Sequence, residues 1–268
     1  MNQVLATPGP VALFIRNATG RIELRTGAVG ETRVEVRPGG SGRAAADETR
    51  IDVRTTDRGF EVHVEVPARS GIGPFGKSAG VEVTIDAPDG ADVDVVSTSA
   101  EVDGKGGFGS VRIKTTSGDV RMGDAAGDVE VRSASGDVRL DGIGGLTKIR
   151  TASGDVHVGD ARGALKIQTA SGDVSVGRAR PSVKIQTASG DQRIGRVSGG
   201  EVVLQSASGD IAVGIERGSG VWLDVRSISG DVTSELEVDH PPTGDEEPFV
   251  TLRATSMSGD VLLRRADR

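Results

Sequence analysis

The tripeptide Ser-Gly-Asp recurs along this chain at a nearly constant spacing, and this repeat limits the possible folds more than any other feature. After the first copy it returns in steps of 18, 18, 18, 18, 19, 21 and 29 residues. The copies begin at Ser117, Ser135, Ser153, Ser171, Ser189, Ser208, Ser229 and Ser258. Weaker copies precede them at Ser99 and at Thr19-Gly20-Arg21. The chain therefore contains about ten related units.

Each unit is predicted to form two short strands joined by a corner. Apolar residues occupy alternate positions on both sides of the tripeptide, as Ile167 and Val174 do around Ser171, and this period is typical of strands with one buried face. Two strands within 18 residues describe one coil of a β-solenoid, whose stacked coils pair about 4.8 Å apart. We expect an all-β fold, a single β-solenoid of about ten coils with a regular 18-residue repeat and two short strands per coil.

The regularity of the repeat varies along the chain and suggests three parts of one solenoid domain that spans residues 1–268. We expect less regular N-terminal coils that form a cap, then the regular repeats, then a widened last coil with a C-terminal cap. The predicted bounds are 1–98 for the first part, with flexible loops at 38–48 and 68–80, then 99–234 and 235–268.

Composition excludes several classes of protein. Aromatic residues make up 2% of the chain and there is no Tyr, so a core built on large rings is excluded. The absence of Cys excludes disulfides, thiol nucleophiles and thiolate metal sites. A net charge of -7 and the scarcity of rings for stacking argue against nucleic acid as a partner. The N-terminal stretch has neither a basic region nor a long apolar run, which predicts no signal peptide, no membrane insertion and a cytoplasmic location.

The Asp of each tripeptide should stack along one edge of the solenoid. A column of carboxylates could bind Ca²⁺, which prefers oxygen ligands. The favoured interpretation is structural: Gly adopts a positive φ at the corner, and the Ser and Asp side chains accept hydrogen bonds from corner amides. No metal or other cofactor is therefore assigned, and Ca²⁺ stays an alternative. The Asp column consists of Asp119, Asp137, Asp155, Asp173, Asp191, Asp210, Asp231 and Asp260.

A basic row is predicted on the outward strand face, where it could contact an acidic partner or an anionic lipid surface. The alternative is a solvated face whose charges suppress edge-to-edge aggregation. The candidate interaction residues are Lys114, Arg132, Lys148, Arg150, Lys166, Lys184 and the single Trp, Trp222. Trp222 either anchors a partner or fills a gap where the coil widens.

Catalytic and nucleotide sites are not expected. A Ser nucleophile needs a nearby base, and the three histidines, His63, His157 and His240, lie far apart in the sequence. The stretches GIGPFG (71–76) and GKGGFG (104–109) match the dinucleotide fingerprint, but no βαβ unit surrounds either of them.

Three stretches resemble a known family: the TASGDV units, GSGVWLDVRSISGDV at 218–232 and the closing TSMSGDVLLRR. They are similar to bacterial β-strand-repeat proteins labelled "putative adhesins", a domain of unknown function that is common in actinobacteria. Some groupings join these proteins to toast-rack domains, which accompany envelope-stress membrane proteins. The resemblance implies a strand-repeat fold over about residues 10–265. It brings no catalytic residues.

We therefore expect a non-catalytic scaffold or protein-interaction module with an unidentified protein partner. Two alternatives stay open: a Ca²⁺-binding repeat that uses the Asp column, and a self-assembling structural protein. The terminal coils expose strand edges, so the chain is expected to be a monomer or an end-to-end homo-oligomer. A role as an envelope-stress module is implied by the resemblance alone.

Overall fold

The chain is almost entirely β-strand, as its alternating pattern predicts. The computed structural model describes residues 1–28, 30–40, 42–67, 80–236 and 249–266. They fall into two compact units, Met1–Asp137 and Val138–Arg268. The all-β, solenoid-like arrangement of parallel strands is confirmed.

Unit 1 consists of strands and one short helix. Its elements are β1 (Asn2–Ala6), β2 (Val11–Asn17), β3 (Gly20–Ala28), β4 (Glu31–Pro38), α1 (Arg43–Asp47), β5 (Arg50–Thr56), β6 (Gly59–Glu65), β7 (Val81–Pro88), β8 (Ala91–Ser97), β9 (Glu101–Lys114), β10 (Val120–Ala125) and β11 (Val129–Arg132).

The strands of unit 1 form two ladders, which share the long strand β9. One runs in the order β5-β6-β2-β8-β9-β11, and the other runs β1-β4-β7-β3-β9-β10. Antiparallel pairing is confined to β1, β4 and β5 with their neighbours, and the remaining pairs are parallel. These antiparallel strands lie where the sequence analysis expected an N-terminal cap.

In the described part of unit 2, every helix or strand element is a β-strand. They are β12 (Val138–Ile143), β13 (Thr147–Arg150), β14 (Val156–Ala161), β15 (Leu165–Ser171), β16 (Val174–Ala179), β17 (Ser182–Ser189), β18 (Gln192–Val197), β19 (Gly200–Ser208), β20 (Ile211–Ile215), β21 (Gly220–Ser229), β22 (Val232–Ser234), β23 (Phe249–Ser258) and β24 (Val261–Arg265).

Successive strands of unit 2 alternate between two parallel ladders. Ladder A runs in the order β13-β15-β17-β19-β23-β21, and ladder B runs β12-β14-β16-β18-β20-β24-β22. Partners in the regular part are 18 residues apart, as Leu165 is from Val183. Side chains that follow the apolar period, such as Ile167 and Val174, are fully buried. The repeat thus makes each ladder one face of a narrow aliphatic core.

The C-terminal strands are not the end of the stack, in contrast to the last coil and cap expected at 235–268. β23 pairs with both β19 and β21, and β24 pairs with both β20 and β22. The later strands therefore lie between two earlier coils. The step between Ser229 and Ser258, 29 residues, is the longest of the repeat.

The predicted loop at 38–48 is wrong in part, because it contains α1. Ala44, Ala45 and Ala46 are consecutive and have the highest intrinsic helix propensity, and two of them are buried. The other predicted loop, 68–80, lies outside the described residues except for Gly80.

The glycine of the repeated tripeptide is required by the corner. Gly172 has φ = +120°, and a Cβ added there would overlap the carbonyl oxygen of Gly154 in the preceding coil. Both the backbone angle and the close approach therefore exclude a side chain.

Replacing this glycine tests whether the corner geometry limits stability. Gly172→Ala should lower the free energy of unfolding by at least about 1–3 kcal/mol, because a non-Gly residue at positive φ is strained and the neighbouring coil must move. Gly107→Ala is the control, since no atom lies within 4 Å of its added Cβ. Denaturant unfolding measures both variants, and equal effects would contradict this account of the corner.

Candidate functional site

Three lysines form a continuous column on the outward face of ladder A. The parallel register places Lys148 beside Lys166, and Lys166 beside Lys184. They occupy the same position of three consecutive coils, between inward residues such as Leu165 and Ile167. The period of two that buries the aliphatic residues therefore places all three lysines on the outward side, where Lys148 and Lys184 are exposed and Lys166 is half-buried.

A hydrogen-bonded column of amides runs alongside the lysines. Arg150 Nε donates to Gln168 Oε1 at 3.2 Å, Gln168 Nε2 donates to Gln186 Oε1 at 2.9 Å, and Gln186 Nε2 donates to Gln205 Oε1 at 2.6 Å. This hydrogen bond of Arg150 is therefore accepted by a neutral amide and not by a carboxylate. We call Lys148, Arg150, Lys166 and Lys184 the basic face.

The lysines of the basic face form no ion pair with another described residue of unit 2. None of the ion pairs within the described part of unit 2 includes any of the three lysines. Those pairs use arginines instead, for example Arg253 with Glu201 at 2.9 Å and Arg226 with Asp224 at 3.1 Å. The positive charge of the lysine column is thus left for solvent or a partner.

The predicted basic row has a different environment in unit 1. Arg132 Nε donates to Glu130 Oε1 at 2.8 Å, and Arg112 lies 3.4 Å from Asp94 and 3.6 Å from Glu130. Lys114 is exposed at the end of β9. Because its arginines are already paired with carboxylates, this part of the row is a weaker candidate for binding an anion.

Other charges of unit 1 are paired in the same way. Hydrogen bonds from Arg25 hold the pKa of Glu23 below its usual value, although partial burial acts in the opposite direction. The hydrogen bond to Glu101 raises the pKa of Arg121. In both pairs, Glu23 with Arg25 and Glu101 with Arg121, a cation and a carboxylate neutralise each other, so these pairs are weaker candidates for binding a charged partner.

Trp222 lies on the outward side of β21 and does not fill a core gap. Its side chain is 45% exposed, and the guanidinium carbon of Arg253 lies 5.6 Å from the ring centroid. Such a contact is a cation–π interaction. The structure thus leaves much of the ring open, on the face of ladder A.

The Asp column accepts hydrogen bonds from the backbone. The Oδ1 of one Asp accepts the amide N–H of the Asp in the next coil at 2.8–3.0 Å, both between Asp119 and Asp137 and through unit 2. In unit 2 the order is Asp155, Asp173, Asp191, Asp210, Asp260, Asp231. One oxygen of each accepting carboxylate is therefore occupied by the corner.

The described residues contain no group of three or more His, Asp or Glu side chains that could hold a metal ion. His63 stacks on Phe14 with the ring centroids 4.7 Å apart, and it lies 3.3 Å from Glu61. His157 is half-buried on β14, while His240 and the stretch 71–76 lie outside the described residues. The stretch 104–109 lies within β9, where no helix follows.

Comparison with known proteins identifies the family. The profile described as Toastrack DUF4097 matches residues 12–264, so the chain belongs to this family, as the repeat spelling indicated. No curated protein matches significantly. Within the described ranges, no helix has the length and apolar character needed to cross a membrane.

Solved structures with similar architecture have little sequence in common with this chain. A "putative adhesin" from Bacteroides fragilis is 13% identical over 99% of this chain and 96% of its own, with a TM-score of 0.48. A "putative lipid binding protein" from Parabacteroides distasonis is 9% identical over 100% of this chain and 96% of its own, with a TM-score of 0.47. With such low values, the family assignment rests on the profile match.

Substitution of one Asp of the column distinguishes a structural role of these side chains from a role in metal binding. Asp191→Ala removes the acceptor of the Asp210 amide and should lower the free energy of unfolding by about 1–2 kcal/mol, whereas Asp191→Asn keeps a carbonyl acceptor and should cost less. Thermal unfolding with and without millimolar Ca²⁺ measures both. A Ca²⁺-dependent stabilisation of the unmodified protein that Asp191→Asn abolishes would contradict a purely structural role.

Proposed function

We propose that this protein is a non-catalytic interaction module that binds an acidic segment of a partner protein on the basic face. The observation that carries this proposal is the in-register column of Lys148, Lys166 and Lys184, which forms none of the ion pairs seen among the described residues of unit 2. A column of three cations is electrostatically complementary to a partner segment that presents several carboxylates.

The lysine column costs stability, which supports a role in binding. Two unit charges about 4.8 Å apart repel by about 0.9 kcal/mol in bulk water, and Lys166 has such a neighbour on each side. Elsewhere the chain places arginines beside carboxylates, as in the pair Arg253–Glu201. An acidic partner would remove the repulsion on binding.

The surroundings of the basic face favour a protein partner over a membrane. On β15 and β17 the outward positions beside the lysines hold Gln168 and Gln186 and the small residues Ala170 and Ala188. A lipid surface is better matched by Trp or Phe adjacent to the cations, since those rings insert at the headgroup level. Nucleic acid is disfavoured by the overall charge of -7.

The absence of catalysis is part of the proposal and is supported by the environments of the titratable groups. His63 contacts Phe14 and Glu61, and the Asp column accepts backbone amides. A single solenoid of about ten coils and a cytoplasmic location remain predictions made from the repeat and the N-terminal sequence.

The proposal is tested by removing the three charges. The combined change Lys148→Gln, Lys166→Gln and Lys184→Gln should weaken binding of a fluorescent poly-glutamate peptide by at least roughly tenfold, since three ion pairs are lost. Fluorescence anisotropy at low and moderate salt measures the affinity, which should fall as salt screens the charges. The same variant should be slightly more stable than the unmodified protein, because the lysine repulsion is gone.

A matched control carries an equal charge change on ladder B. Arg139, Arg193 and Arg264 also point outward in unit 2, and their combined replacement by Gln should leave peptide binding within about twofold. Equal losses in both variants would show a response to net charge alone and would refute the basic face. Tight binding of anionic vesicles without binding of the peptide would instead favour a lipid surface.

A further inference from the structure

One end of unit 2 is an open edge of both ladders. Among the described strands, β21 pairs with β23 alone and β22 pairs with β24 alone. Leu223 is aligned with the fully buried Leu252 yet is 39% exposed, and Val232 is aligned with the fully buried Val261 yet is 48% exposed. Side chains in core positions therefore face solvent at this end.

This edge lacks the features that usually prevent pairing with another strand. Edge strands in monomers are commonly short, bulged, or marked by Lys or Pro. β21 is ten residues long, contains neither Lys nor Pro, and pairs with β23 without a register shift.

The outward side chains of β21 are self-complementary when a second copy of the strand is reversed. Trp222, Asp224, Arg226 and Ile228 alternate along this face. In an antiparallel pair centred on Val225, Asp224 lies opposite Arg226 of the second copy, and Trp222 lies opposite Ile228 of the second copy. Ile228 is 79% exposed and Trp222 is 45% exposed, so both would gain an apolar neighbour.

A parallel arrangement of the two edges has the opposite electrostatics. In register it would place Asp224 beside Asp224 and Arg226 beside Arg226, which is repulsive on both counts. The charges thus select the antiparallel, two-fold arrangement. Such an arrangement uses the same surface on both copies and closes on itself, so it yields a dimer and not a filament.

We propose that this protein forms a two-fold dimer in which β21 pairs antiparallel with β21 of a second copy, centred on Val225. The ion pair of Asp224 with Arg226 within one strand, at 3.1 Å, is then exchanged for two pairs between strands. β22 lies at the same end, since β24 continues the coil that begins with β23, so Val232 is covered together with Leu223. The dimer surface is separate from the basic face and does not depend on the proposed function.

Charge reversal at the two central positions tests the arrangement. Asp224→Arg gives an edge with two cations, and Arg226→Asp gives an edge with two anions. Each variant alone should dimerise at least roughly tenfold more weakly than the unmodified protein, because like charges then face each other. An equimolar mixture of the two should recover the dimer, since every cation then faces an anion.

Two measurements report the outcome. Analytical ultracentrifugation from low to high micromolar concentration gives the oligomeric state. Trp222 is the only Trp of the chain, so a blue shift of its emission with rising concentration reports burial at this edge. Circular dichroism verifies the fold of each variant, and Arg193→Asp on β18 is the control charge reversal, which should remain a dimer.

Three results would overturn the proposal. One is a monomer at all concentrations. Another is dimerisation of both single variants with unchanged affinity. The third is failure of the mixed variants to associate when the unmodified protein does.

Discussion

In-register parallel stacking is the constraint on which the rest of this structure depends. One coil has too few apolar side chains to form a core, so residues such as Ile167 and Val174 are buried only because neighbouring coils place similar residues above and below them. The backbone hydrogen bonds of each strand are likewise completed by the next coil. Stability therefore requires the same residue type at the same position of successive coils, and the repeat in the sequence follows from that requirement.

The same constraint places like charges in columns, and the structure handles these columns differently. In the Asp column, one carboxylate oxygen accepts the amide of the next corner, so the negative charges stabilise the stack. In the glutamine column, each amide donates to the next. In the described part of unit 2, the lysine column forms no ion pair of this kind. For this reason the lysines are a better candidate for binding than the more numerous aspartates, although the Asp repeat is the more prominent pattern in the sequence.

A stack of coils also has strands at its ends that lack a partner on one side, and these edge strands differ between the two units. Unit 1 adds antiparallel strands, among them β5 with its charged residues, whereas unit 2 leaves Leu223 and Val232 partly open in core positions. The repeat predicts exposed terminal edges, but in unit 2 such an edge is formed by β21 and β22 and not by the segment 235–268. Similar coils are nearly interchangeable by pattern alone, so local sequence does not state which coil is the outermost. Only the pairing of β23 with both β19 and β21 reveals that β21 is at the edge.

The amino-acid sequence by itself determined the all-β class, the corner glycines and the buried columns, because these depend on backbone conformation and on a period of two within each unit. It did not reveal the order of the coils, the short helix at Arg43–Asp47, or the partner of each charge. Gln192 illustrates the reason: it replaces an aliphatic residue in a core column, and its burial is accommodated by hydrogen bonds to Thr187 and to the carbonyl of Gln205. Gln205 belongs to the next coil, so this partner is decided by tertiary structure, which brings together residues that are distant in the sequence.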